Sequence, residues 1–181
     1  MLLINKNHLF NEDDIKNYEM VEYENYKEDI ILLEKNTFDH FMMLKYHLKV
    51  DDINIDIKDG YRSLEKQENI FLDVMKKYGI DEASNIEDMP GTSDYHSATA
   101  IGFTIKVKDN WIDDYKLLFK YKKILKKIHN NLKYFGFVLR YPIGKEEITF
   151  HEYEPWHITY IGDLANEFEG TIEEYEEKRW L

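Results

Sequence analysis

At 181 residues the chain falls within the range of one folded domain and is long enough to bury a core. Its 43% hydrophobic and 15% aromatic content argues against disorder, and 36 acidic residues against 24 Lys and Arg, a net charge of −12, argue against nucleic acid or an anionic membrane as the main partner. With no cysteine, disulfides and thiolate zinc sites are excluded, so any metal must be held by His, Asp, Glu or Tyr.

Met1-Leu2-Leu3-Ile4 runs straight into Asn5-Lys6-Asn7-His8, too short an apolar run for a signal peptide, and no stretch approaches the roughly 20 apolar residues of a membrane span. The chain as written is therefore expected in the cytoplasm, with a cell-envelope location if it has been trimmed. Leu2 to Ile4 and Met20 to Tyr23 read as short strands. Phe38, Phe41, Met42 and Leu48 lie on the apolar face of a helix opening near Asn36 or Thr37, both good caps. Ile53, Ile55 and Ile57 alternate with polar residues, the period of a half-buried strand.

That strand runs into Asp59-Gly60-Tyr61-Arg62-Ser63, and a second helix follows to about Tyr78, with Gly79 as its stop. Leu64, Phe71, Val74 or Met75, and Tyr78 form its expected buried side. A third helix is expected over about Asp114 to Leu132, burying Leu117, Tyr121, Leu125, Ile128 and Leu132, with an acidic start and a lysine-rich end that suit the helix dipole. Its lysines (Lys116, Lys120, Lys122, Lys123, Lys126, Lys127 and Lys133) read as a solvated face, as do Glu173, Glu174, Glu176 and Glu177 near the C-terminus. Phe137 to Arg140 and Ile158 to Ile161 read as strands, and an acidic helix begins at about Thr171. The pattern is α+β in a single domain over residues 1–181, a small, mostly antiparallel sheet flanked by helices, and not a regular βαβ repeat.

The chemistry is concentrated in Tyr153-Glu154-Pro155-Trp156-His157. A glutamate is a competent general base for a metal-bound water, and a neutral imidazole is a favoured zinc ligand. Earlier in the chain stand Gly60-Tyr61-Arg62-Ser63 with Gln67, then Pro90-Gly91-Thr92-Ser93-Asp94; Leu139-Arg140-Tyr141-Pro142 and Gly144-Lys145-Glu146-Glu147-Ile148-Thr149 follow. In this order the chain resembles the VanY-type D-alanyl-D-alanine carboxypeptidases, zinc peptidases that trim the terminal D-Ala of peptidoglycan stem peptides. The resemblance implies the fold shared by DD-carboxypeptidases and hedgehog-type domains. It also implies Glu154 as general base and His157 as one zinc ligand. Arg62 would grip the substrate's free carboxylate, with Gln67 and Ser93 as polar neighbours and Trp156 walling the site.

The resemblance also exposes a mismatch. The family's other two zinc ligands, a His and an Asp seven residues later, lie in a Ser-Glu-His-x-x-Gly-x-Ala-x-Asp segment. Laid on Ser93-Asp94-Tyr95-His96-Ser97-Ala98-Thr99-Ala100-Ile101-Gly102 without gaps, the ligand His falls on Tyr95, the Gly on Ala98 and the ligand Asp on Gly102. Catalytic zinc needs three protein ligands and an open position, so no cofactor is expected and the reading is an impaired homologue that keeps a peptide or stem-peptide cleft. The alternative enzyme rebuilds a zinc site from His96, His151 and His157, with His96 turned inward by a bulge and His151 on the strand face of His157. A third reading is an interaction or structural protein with the cleft closed by Tyr95. Oligomeric state is not legible.

Overall fold

A computed structural model describes residues 1–179. The elements in order are β1 (Met20–Glu24), β2 (Ile30–Glu34), α1 (Lys35–Leu48), β3 (Asn54–Asp59), α2 (Leu64–Tyr78), α3 (Ile80–Ile86), β4 (Ala100–Val107), β5 (Asn110–Trp111), α4 (Tyr115–Leu118), α5 (Lys122–Asn131), β6 (Phe137–Leu139), α6 (Glu146–Thr149), β7 (His157–Tyr160) and α7 (Ile172–Arg179). β1 and β2 form an antiparallel hairpin, and the main sheet runs β3-β4-β7-β6 with β5 folded back on β4; every pairing is antiparallel. This is the expected α+β architecture.

One face of the main sheet is apolar. Ile55 and Ile57 of β3, Ile101, Phe103 and Ile105 of β4, Phe137 of β6 and Ile158 of β7 pack with Phe41, Leu44 and Leu48 of α1 and with Leu125 and Ile128 of α5. Burying an aliphatic or aromatic side chain contributes about 1.5–3 kcal/mol, so this layer holds the sheet rigid behind its opposite face. That opposite face carries the candidate site. The register puts Gly102 of β4 opposite Asp59 of β3 and opposite His157 of β7, and the Arg140 N–H donates to the His157 carbonyl oxygen. Asp59, Gly102, His157 and Arg140 therefore form one row across the sheet.

Several local expectations need correction. Leu2 to Ile4 is not a strand; the N-terminal segment forms only an isolated bridge between Asn5 and His8. The cap of α1 is Glu34, whose carboxylate accepts from the Asn36 and Thr37 N–H groups, so it satisfies two orphan donors and suits the positive helix end. On α2, Phe71 is buried but Tyr78 is exposed, and the polar Gln67 is fully buried. The third helix is two helices. A 3-10 turn over Phe119–Tyr121 shifts the helical phase, so Leu118 is buried and Leu117 exposed. The lysines of this segment are exposed as expected. Glu173 is not solvated: it is buried against Arg140.

Candidate active site

Arg62 lies just beyond the end of β3, where the chain passes close beneath β2. A Cβ at Gly60 would come within 2.8 Å of the Leu32 carbonyl oxygen and 2.5 Å of Ile31, so glycine permits the approach, and the Tyr61 N–H then donates to Leu32. This pins the Arg62 side chain, which is only 12% exposed. Its Nη2 donates to Asp59 Oδ1 at 3.2 Å, and its Nη1 donates to Glu87 Oε1 and to Gln67 Oε1, both at 3.1 Å. The guanidinium lies over the Tyr95 ring at 4.4 Å. Burial would raise the Asp59 carboxyl, but Arg62 beside it and the Tyr115 hydroxyl, donating at 2.7 Å, hold it below its ordinary value.

The 94–97 turn brings Asp94 and Tyr95 under the same face, and Ala98 closes it at φ +58°, a conformation that favours glycine. An alanine thus stands in a left-handed position at the point where the resemblance puts glycine. Tyr95 stacks on the His157 ring with centroids 4.5 Å apart. His157 is 2% exposed and sits between two carboxylates: Nδ1 is 3.0 Å from Glu154 Oε2, and Nε2 is 3.3 Å from Asp94 Oδ2. Burial alone would lower its pKa, but the paired Asp94 and Glu154 carboxylates raise it to about 9, so the ring is an imidazolium at neutral pH. Asp94 is held down to about 2 despite complete burial, chiefly by Arg140, whose Nε lies 3.3 Å from Oδ1. Arg140, fully buried, makes a bidentate pair with Glu173 at 2.8 and 3.0 Å.

The structure brings Glu154 and His157 together as expected, with Glu154 27% exposed at the rim. Arg62 and Gln67 share a hydrogen bond. Trp156 stacks on Tyr115 with ring centroids 4.7 Å apart, and both pack against the core. Ser93 is buried nearby in sequence to Asp94, and its Oγ has no hydrogen-bond partner among the described residues. The displaced histidine set does not assemble. His96 Nδ1 is 2.5 Å from the Arg62 carbonyl oxygen, and its Nε2 accepts from the Gly91 N–H, so both ring nitrogens are committed to backbone. His151 lies in a loop, not on the strand of His157; it stacks on Tyr141 at 4.1 Å and pairs with Asp88. The residues missed from sequence are Asp59, Glu87, Tyr115, Arg140 and Glu173. Arg140 stood inside a quoted motif, but no spacing linked it to Glu173, 33 residues away.

The chain matches the VanY D-alanyl-D-alanine carboxypeptidase model over residues 30–163. It belongs to that family. Among curated relatives, YodJ of Bacillus subtilis (strain 168) is 32% identical over 123 residues, covering 66% of this chain and 44% of YodJ, so the chain corresponds to less than half of that relative. The bifunctional D-Ala-D-Ala dipeptidase and D-Ala-D-Ala carboxypeptidase VanXYC of Enterococcus gallinarum is 30% identical over 128 residues, covering 67% of this chain and 66% of VanXYC. Among solved structures, the LdcB LD-carboxypeptidase superposes with a TM-score of 0.80 at 28% identity, covering 97% of this chain and 85% of LdcB.

For this VanY-family chain the fit of a zinc ion can be tested on its own residues. Both nitrogens of His157 face carboxylates. Burial pushes the Tyr95 phenol well above its ordinary pKa, so it stays a neutral, poor ligand. Gly102 offers no side chain, and the space above it is filled: a Cβ there would overlap the Tyr115 hydroxyl and lie 2.5 Å from the Tyr95 hydroxyl. Among the described residues no group of three or more His, Asp or Glu side chains is arranged to hold a metal ion. The residues present do not fit a catalytic zinc.

Proposed function

We propose that this VanY-family domain has exchanged the zinc centre for a buried ion network, does not hydrolyse peptides, and retains a cleft suited to the carboxylate end of a peptide of the stem-peptide type. The observation that carries the loss of the zinc centre is the filling of the space above Gly102 by the Tyr95 and Tyr115 hydroxyls, and the carboxylate-binding part rests on Arg62 and Gln67. Two phenol hydroxyls occupy the volume that a side chain at position 102 would need, so a ligand Asp there would have to displace them.

The chemistry follows. Glu154 could take a proton from water only if that water were acidified and the scissile carbonyl polarised, and its carboxylate is instead ion-paired to His157 at 3.0 Å. Arg62 keeps the charge and fork geometry for a carboxylate, and Gln67 stands beside it with an amide donor. Binding of an anionic peptide end is therefore the function these residues can still support. Single-domain organisation over the whole chain belongs to the same proposal, as does a cytoplasmic or envelope setting according to where the mature chain is delivered.

The test is metal analysis of the protein after equilibration with zinc and gel filtration, alongside release of D-Ala from a stem pentapeptide. The expected result is well under one zinc per chain and no D-Ala. One tightly held zinc per chain together with D-Ala release ends the reading.

A further inference from the structure

Arg62 and Gln67, the pair suited to a ligand carboxylate, already hold one. Glu87 Oε1 accepts from Arg62 Nη1 at 3.1 Å and from Gln67 Nε2 at 3.0 Å. The same oxygen thus sits where two donors converge. On the other side of the guanidinium, Asp59 Oδ1 takes Nη2 at 3.2 Å.

The two carboxylates are tethered differently. Asp59 is the last residue of β3, in the row across the sheet, and its second oxygen is fixed by the Tyr115 hydroxyl. Glu87 follows α3, a seven-residue helix with only Ala83 buried among its described side chains, and its own side chain is 22% exposed. The loop behind Glu87 is held by Gln67 donating to the Asp88 carbonyl oxygen at 2.7 Å and by the Asp88–His151 pair. The two side chains are about equally covered, 22% and 25% exposed, but Glu87 hangs from the loop after a short helix, whereas Asp59 is fixed by its strand and by Tyr115.

We propose that Glu87 is an internal competitor for the anion position between Arg62 and Gln67, and that a peptide with a free C-terminal carboxylate binds by displacing it. This inference rests on the carboxylate-binding reading of the cleft given above. Electrostatics favours displacement over addition, because a third carboxylate on a guanidinium that already faces two would meet net negative charge, although Arg62 Nε has no hydrogen-bond partner among the described residues. Replacing one carboxylate by another conserves the charge-assisted hydrogen bonds, so the exchange itself supplies little affinity. A tethered group also competes at an effective concentration on the order of millimolar. The cleft should therefore discriminate against small carboxylates and favour peptides that add contacts beyond their terminus.

The experiment is a calorimetric titration of D-alanyl-D-alanine, and of its C-terminal amide, into the full chain and its Glu87→Ala, Glu87→Gln and Arg62→Ala variants. Glu87→Ala is expected to bind the dipeptide about tenfold tighter than the parent, the worth of one partly buried charge-assisted contact. Glu87→Gln falls between the two. The amide gains nothing, and the gain vanishes when Arg62→Ala is combined with Glu87→Ala. In the unaltered chain, millimolar dipeptide should also shift the backbone amide resonances of residues 86–89 as the side chain leaves. Glu87 variants that bind no tighter than the parent, or dipeptide binding that leaves the 86–89 resonances unmoved, overturn the proposal. Zinc uptake with D-Ala release would instead overturn the metal-free reading and leave these affinities to be judged separately.

Discussion

An imidazole serves a metal through a nitrogen lone pair, and at His157 both nitrogens face carboxylates. The same residue type at the same place in the motif is thereby turned from a neutral donor of electrons into a buried cation. With the folded pKa at about 9 against an ordinary 6.5, the contribution to stability is complete below about 6.5 and is lost as pH rises through 9. The full difference is on the order of 3 kcal/mol. Histidine-detected NMR should show the His157 ring protonated at pH 7 and titrating near 9, with the thermal midpoint falling over that window. A ring that stays neutral from pH 6 to 8 would sink this assignment. Tyr95 and Gly102 were legible in sequence because each stands in a fixed position of a short motif. The proton on His157 was not, because it depends on Asp94 approaching from a different segment.

At the scale of elements, the apolar pattern located β1, β3, α1, α2 and β7, although on α2 only Phe71 of the expected face is buried. It failed on the segment after Asp114 because the 3-10 turn resets the phase, which no count of apolar spacing reveals. At α7 the helix itself was found, but Glu173 read as solvated, because a run of glutamates looks solvated unless its partner is known. Glu173 faces Arg140, which also donates to the Ile4 carbonyl oxygen, while the Asn5 side chain donates to Glu173. One carboxylate thus ties α7, the end of β6 and the N-terminal segment together. Removing one partner of a buried pair leaves the other charge uncompensated, so Glu173→Ala is expected to cost about 3–5 kcal/mol. Hydrogen exchange should quicken first in residues 1–10 and α7. A loss below 1 kcal/mol, measured by denaturant unfolding, would mean that Asp94 alone suffices for Arg140.

For the molecule as a whole, the row Asp59, Gly102, His157 and Arg140 is joined by strand pairing and ion pairs within the chain, and under the proposed reading the fold is expected to stand without a metal. Chelator should therefore leave its thermal midpoint unchanged. Returning the ligands is harder than the motif suggests. Tyr95→His with Gly102→Asp restores the two residue types but leaves the Tyr115 hydroxyl overlapping the new Cβ, so the double variant is expected to be destabilised and metal-free. Adding Tyr115→Phe removes that hydroxyl, and with it a hydrogen bond to Asp59, and opens the volume a carboxylate needs. The triple variant should bind zinc in competition with the proton on His157, so that affinity rises with pH up to about 9. Zinc at 100 times its dissociation constant would add about 2.7 kcal/mol, a rise in midpoint of about 5–10 °C that chelator reverses. If the double variant binds zinc as well as the triple, the Tyr115 hydroxyl is not what closes the site; if neither binds, the Asp94–His157–Glu154 network holds the imidazole more tightly than zinc can.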